Sequence, residues 1–412
     1  MLAAVVVLLS AALSACGGAS ATQTRKTPTA KTKRPGPPFV DIYAGLPLRG
    51  PLAKQGRAVW KGIELARDNA RIHDSVHLIF KRPLNDAGRK NGDDNLALTE
   101  KNAIAVSMDP HAVYYIGDLS SAATNISLPI LSAAGIAQIT PGDAYIAPAS
   151  GQPGAVSLAD KLLPLLPDYR VQAAADMQFF AKIPKQPACT RVTVVTESDP
   201  ESAELAKLMS TDAKSDGIQP LVPLALTTKA ATAATYETPF KGQTPCGIVI
   251  AGSAVKPAAA FARTIHSLFP QALILGTSGL CNSRWTKATA KGWTPAVDRL
   301  LWCTSPTWPL DQYDNSDNFT TLYRKTYHSN PSTYALYGYE AANLGIAMLG
   351  TLGTAGEDRE TVRSNLLDPG VSDSFQYANL KGNTSSLSSY AVYNISPKSA
   401  EPAFYLTLTP GH

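Results

Sequence analysis

The sequence predicts an α/β protein of two lobes, each a parallel central sheet with helices packed on its faces. Three observations predict this. Short apolar runs alternate with helical patterns along almost the whole chain. Prolines near 164–170, in "PLLPDYR", divide the alternation into two series of similar size. The core-forming stretch, about 370 residues, is longer than one ordinary core uses.

The first series opens with "FVDIYAG", an apolar run of strand length. In "KQGRAVWKGIELARDNA" the residues Val59, Ile63, Ala66 and Ala70 then fall on one helical face. "VHLIF", "VYYIG" and "IAQIT" follow as strands, with helical stretches near 93–105 and 121–134. In the second series "RVTVVTE", "GIVIAGS" and "ALILGTS" read as strands, and "ESAELAKLMSTDAK" and "KPAAAFARTIHSLF" as the helices between them. "LLWCTSP" closes this series as a short strand. Helices near 316–329 and 333–351 come next, then two more strands, "YAVYNI" and "FYLTLT". Two strands of the first series end in small polar groups, Asp118-Leu119-Ser120-Ser121 and Pro141-Gly142-Asp143. Open parallel sheets bind ligands beyond the carboxyl ends of their strands, where loops meet helix N-termini, so both loops are candidate site loops.

The chain begins "MLAAVVVLLSAALSAC". This apolar run is too short to span a bilayer as a helix but fits a signal-peptide core over residues 1–15, although no Lys or Arg precedes it. Leu13-Ser14-Ala15-Cys16 resembles a bacterial lipobox, which implies lipidation of Cys16 and anchoring on the extracytoplasmic face of the cell membrane by more than one acyl chain. Residues 16–38 are rich in Gly, Pro, Thr and Ala, lack apolar periodicity and read as a flexible tether. Arg25, Lys26, Lys31, Lys33 and Arg34 account for the whole formal charge of +5, and the rest of the chain sums to zero. Nucleic acid is therefore not an expected partner. The basic residues either touch anionic headgroups or only solvate the tether.

Four cysteines remain after Cys16, and an even count in an exported protein favours two disulfides, with three pairings open. Cys189 with Cys246 is favoured, since each immediately precedes a strand and adjacent parallel strands bring their starts together. Cys281 with Cys303 follows by elimination. The absence of C-x-x-C leaves zinc and redox chemistry unsupported. No nucleophile elbow, zinc-protease helix, β-lactamase set or phosphate loop occurs, so neither an enzyme nor a cofactor is expected. His73 and His77 have the spacing of a helical metal pair, but "VHLIF" reads as a strand and would turn His77 away.

The stretches "AGLPLRGPLAKQGRAVWKGIELARDNA", "YIGDLSSAATNISLPILSAAGIAQITPG", "RVTVVTESDPESAELAKLM" and "YALYGYEAANLGIAML" resemble the solute-binding lipoproteins of ABC importers, of the leucine/isoleucine/valine-binding type. The resemblance implies the type I periplasmic-binding fold: two Rossmann-like lobes joined by a three-segment hinge and closing on a small-molecule solute. It places lobe one at 39–168 plus 306–375 and lobe two at 169–305 plus 376–412. It also implies a monomer, an ABC transporter permease as partner, and capture of an amino acid or related compound. Signalling to a sensor, or protein binding, is the alternative use of such a fold.

Carried onto this chain, the resemblance puts Ser120 and Ser121 on the solute's carboxylate, although Ser121 also suits a plain helix cap. Gly142 and Asp143 occupy the next contact loop, where a hydroxyl is usual. Asp143 departs from that pattern, and it turns outward, pairs with Arg49 or accepts a cationic group. Gln55 stands where a tyrosine is common, Glu201 where an aromatic is common, and Ser278 where an acid meets an ammonium. Either Glu201 or Asp143 then takes the ammonium, or the solute is not a standard α-amino acid. Trp60 and Trp302 are expected in the core, and Trp308 near the hinge.

Overall fold

A computed structural model describes residues 37–408, except 51, 71–75, 89–94, 143–160, 184–187, 198, 227–232, 241, 291–298, 369–378, 381–383, 386–387 and 396–401. Asp143, Cys16, His73, the signal segment and the tether through residue 36 lie outside the described residues.

The first sheet contains β1 (Phe39–Leu46), β2 (His77–Phe80), β3 (Leu84–Asn85), β4 (Ala112–Ile116), β5 (Ala137–Thr140) and β6 (Leu162–Pro164). Its order is β2-β1-β4-β5-β6, all pairs are parallel, and β3 pairs with the end of β1. Every residue of β4 and β5 is buried, as expected of central parallel strands covered on both faces, whereas the edge strand β2 is partly exposed. Helices α1 (Ala53–Asn69), α2 (Leu96–Met108) and α3 (Ser121–Ala133) connect these strands. Val59, Ile63 and Ala66 are buried on α1, while Ala70 stands just past its end as the C-cap.

The second sheet follows α4 (Tyr169–Lys182). Its parallel strands are β7 (Arg191–Thr196), β8 (Gln219–Pro220), β9 (Leu224–Ala225), β10 (Gly247–Ala251), β11 (Leu273–Gly276) and β12 (Leu301–Ser305). Between them run α5 (Pro200–Ser215), α6 (Ala233–Glu237), α7 (Val255–Leu268) and α8 (Ser283–Ala290). The chain then returns to the first lobe as α9 (Ser316–Tyr327), α10 (Thr333–Leu352) and α11 (Arg359–Leu366), whose apolar residues share a core with β1 and β4. A short pair, β13 (Asn379–Leu380) and β14 (Thr384–Ser385), precedes β15 (Ser389–Asn394) and β16 (Phe404–Thr407). These last two strands extend the second sheet antiparallel at β12, in the order β16-β15-β12-β11-β10-β7-β8.

Two lobes with parallel-dominated sheets are thus present, and the backbone passes between them three times. Helix α4 is absent from the sequence expectation for a physical reason. From Gln172 to Phe180 it is buried without interruption, so it shows no polar-apolar stripe. The short strands β3, β6, β8, β9, β13 and β14 and the helices α6, α8 and α11 also escape that expectation.

Helices α1 and α10 meet where each carries a glycine. A Cβ on Gly62 would lie 2.7 Å from the backbone nitrogen of Tyr339, and one on Gly338 would lie 2.7 Å from the carbonyl carbon of Val59. Cys189 and Cys246, each just before a strand of the second sheet, are bonded, and Cys281, past the turn that follows β11, is bonded to Cys303 within β12; these are the favoured pairings. Trp60 is partly buried against the first lobe's core, and Trp302 is partly buried in the second. Trp308 belongs to the first lobe's core and stacks flat on Tyr405 of β16, with ring centroids 3.9 Å apart.

Candidate functional site

On the first lobe the site begins where β4 ends. Ser120 has extended backbone and its Oγ accepts the Ala123 N–H at 3.2 Å, so Ser120, not Ser121, caps α3. Ser121 is the first helical residue and is buried. The loop beneath is held by a fully buried Asp118, whose carboxylate accepts the hydroxyls of Tyr115 at 3.0 Å and Ser127 at 2.5 Å. Burial, then the neighbouring Asp118, pushes the Tyr115 phenol well above its ordinary range. Thr140, at the end of β5, donates to the Asp118 carbonyl and accepts the Gly142 N–H at 3.1 Å, which ties the two loops together. Gly142 is needed there sterically, since a Cβ would lie 2.5 Å from the Leu119 Cα.

On the second lobe three elements converge. Asp199 caps α5 by accepting the Ser202 N–H at 2.8 Å, and Pro200 opens the helix. Glu201 therefore sits in the first turn, where the helix dipole favours a negative charge. Its Oε1 accepts the hydroxyl of Ser121 from the opposite lobe at 3.4 Å, and also the hydroxyl of Tyr169 at the start of α4. One turn along α4, the Gln172 Oε1 accepts the hydroxyl of Ser278 at 3.1 Å. Ser278 begins a 3-10 turn directly after β11.

Asp176 is one further turn along α4 and fully buried. Thr304 of β12 donates to its Oδ1 at 2.6 Å, while Oδ2 and the Gln172 Nε2 lack a hydrogen bond of good geometry among the described residues. Burial pushes this carboxyl up to about 8, against opposing effects of Thr304 and Gln172. Glu197, just past β7, accepts the N–H groups of Ser253 and Ala254 at 2.7 and 2.6 Å, at the start of α7. Burial raises its carboxyl and those two bonds lower it. Gly252 leaves room for this side chain, since a Cβ there would collide with it.

The sequence-predicted residues divide accordingly. Ser121 and Glu201 touch across the lobes, Ser120 and Gly142 flank that contact on adjoining loops, and Ser278 joins through Gln172 on α4. Gln55 is partly buried in the first turn of α1, which follows the carboxyl end of β1 beside β4. Arg49 is exposed. Tyr169, Gln172, Asp176 and Glu197 were not foreseen. The available signal was polar residues four apart, Gln172 and Asp176, on either side of the apolar run Ala173-Ala174-Ala175. Among the described residues no group of His, Cys, Asp and Glu is arranged to hold a metal.

No family model matches the sequence, and no curated protein matches it. Solved structures do match. The leucine-binding protein LivK of Thermotoga maritima has a TM-score of 0.66 at 18% identity, covering 89% of this chain and 99% of that one. The fold is that of the type I periplasmic binding proteins. The branched-chain amino-acid binding protein LivJ of Streptococcus pneumoniae, in complex with isoleucine, has a TM-score of 0.60 at 15% identity, over 90% of this chain and 100% of its own. A solute-binding protein of an ABC transporter from R. palustris, in complex with benzoate, has a TM-score of 0.59 at 12% identity, over 90% and 96%. The same backbone plan therefore holds an amino acid in one protein and an aromatic acid in another.

Proposed function

We propose that the chain is an extracytoplasmic solute-binding lipoprotein of an ABC importer, which captures a small polar organic solute, an amino acid or related compound, by closing two lobes over it. The observation that carries this reading is the hydrogen bond between Ser121 and Glu201, which joins the two lobes beyond the carboxyl ends of their strands, where open parallel sheets take ligands. Gln55, Ser120, Ser121, Gly142, Asp143, Glu201 and Ser278 line the solute in this proposal, with Tyr169 and Gln172 added from α4. A hinge motion that solute stabilises by touching both lobes gives a permease two states to distinguish. In this reading the protein acts as a monomer, held at the membrane by lipid on Cys16.

A thermal-shift screen against amino acids, amides, small carboxylates and polyamines tests the capture. A solute at one hundred times its dissociation constant adds about 2.7 kcal/mol to the stability of the folded protein. If no member of those classes gives a saturable shift, solute capture is the wrong function. Cys16→Ala is expected to move the protein out of the membrane fraction, and its retention there would rule out anchoring through Cys16.

A further inference from the structure

Two fully buried side chains on α4, Gln172 and Asp176, stand one helical turn apart, and each leaves one polar atom without a partner among the described residues. The Asp176 Oδ1 accepts the Thr304 hydroxyl at 2.6 Å, and the Gln172 Oε1 accepts the Ser278 hydroxyl at 3.1 Å. The Asp176 Oδ2 and the Gln172 Nε2 remain. Thr304 makes no other side-chain hydrogen bond among the described residues, so its proton goes to Oδ1, and a proton held by the acid lies on Oδ2. A carboxyl this buried keeps its proton unless a cation stands beside it, and no cation faces Asp176 among the described residues. Gln172 faces it from its own helix and Thr304 from β12. Of the elements packed on α4, β15 brings the phenol of Tyr390 into the same core, and β16 and α5 bring apolar side chains such as Leu406 and Met209. Glu201 of α5 bonds Tyr169, two turns before Asp176. Burial, Thr304 and Gln172 are accordingly the influences on this carboxyl, which holds its proton to about 8.

With the proton on Oδ2, the amide as it stands sets Nε2, a donor, against a second donor. Half a turn of the amide about its last bond exchanges two groups of nearly the same size and removes the conflict. Oε1 then accepts the acid's proton, and Nε2 donates to the Ser278 oxygen. With the proton gone, Oδ2 accepts from Nε2, and Oε1 stays on the Ser278 hydroxyl. Ser278 thus changes from donor to acceptor when Asp176 takes up its proton.

We propose that Asp176 is a positioning residue for the second-lobe rim: protonated, it turns the Gln172 amide so that Nε2 faces Ser278, and ionised, it holds the amide with Oε1 on Ser278. The amide turn stands on the geometry of α4 alone. Its consequence rests on the solute-capture reading and deepens it. On the acid side of the transition the Ser278 proton points away from Gln172, which suits a hydrogen-bond acceptor such as a solute carboxylate, and on the alkaline side that proton returns to Gln172.

The test is NMR of the full-length chain in detergent, without solute, with nitrogen-15 in the glutamine side-chain amides. The Gln172 signals are the pair absent from Gln172→Met. Below the transition its amide protons are expected to give cross-peaks to the Ser278 Hβ protons. Above it these are lost and cross-peaks to the Asp176 Hβ protons are gained, in one step with its midpoint near 8. Asp176→Asn is neutral at every pH and presents an N–H where the acid proton stood, so it is expected to keep the Ser278 cross-peaks throughout. A merely structural Asp176 would change the variant's stability and leave the parent's cross-peaks fixed. Cross-peaks that do not exchange with pH in the parent, or that exchange equally in Asp176→Asn, overturn the proposal. Should a variant not fold, sequential assignment of the parent identifies the signals and its exchange with pH decides alone. Failure of solute capture shows elsewhere, as silence in the thermal-shift screen, and leaves these cross-peaks as they are.

Discussion

Replacing Asp176 with asparagine should change how stability depends on pH. The carboxyl is fully buried on α4, one oxygen accepts the Thr304 hydroxyl at 2.6 Å, and burial moves its dissociation from 3.8 to about 8. At neutral pH the folded protein therefore keeps this proton while the unfolded chain has lost it. Below 3.8 both states are protonated and the group favours neither. Between 3.8 and about 8 only the unfolded chain releases the proton, so stability falls as pH rises, and above that range the loss is complete. At 1.36 kcal/mol per pH unit the full loss is on the order of 6 kcal/mol, and about 4 kcal/mol of it is present at pH 7. Asparagine is neutral throughout, keeps an acceptor for Thr304 and nearly the same shape. Asp176→Asn should match the parent near pH 4 and exceed it by at least about 2 kcal/mol near pH 8. Urea unfolding of both proteins across that range measures the difference, which cancels every other titrating group. A difference that stays constant with pH would refute the buried, protonated acid.

Gly338→Ala should lower stability by about 1–3 kcal/mol, because the new Cβ would press on the Val59 carbonyl, and backbone cannot swing aside as a side chain can. An unchanged melting temperature would show that α1 and α10 separate there without cost. Chain-entropy arguments give about 4 kcal/mol for the Cys189–Cys246 bridge, which spans 57 residues, and about 3 kcal/mol for Cys281–Cys303, which spans 22. Paired Cys→Ser substitution should therefore lower the melting temperature more at the first bridge than at the second, and the opposite order would refute that account.

The fold was legible because parallel strands buried on both faces read as continuous apolar runs, "AVYYI" and "GIVIA" among them. On the first lobe Ser120, Ser121 and Gly142 were expected at a site because they directly follow such runs. On the second lobe Glu201 and Ser278 were expected, but the side chains they bond on α4 were not. Tyr169 and Gln172 lie on a helix buried around most of its circumference, and their chemistry depends on Glu201 and Ser278, 32 and 106 residues away. Glu197 needs the room left by Gly252 and two N–H groups at the start of α7, a pairing no local pattern encodes. Partners brought together only by the folded sheet leave no periodic trace in the chain.

The flat stack of Trp308 on Tyr405 has an optical consequence. One ring belongs to the first lobe's core and the other to the last strand of the second sheet, so parting the lobes would pull the indole away from the phenol. Among the described tryptophans, Trp308 is therefore the one whose emission should track the opening angle. Under the proposed closure, the pair would serve as an unlabelled fluorescence gauge of the hinge.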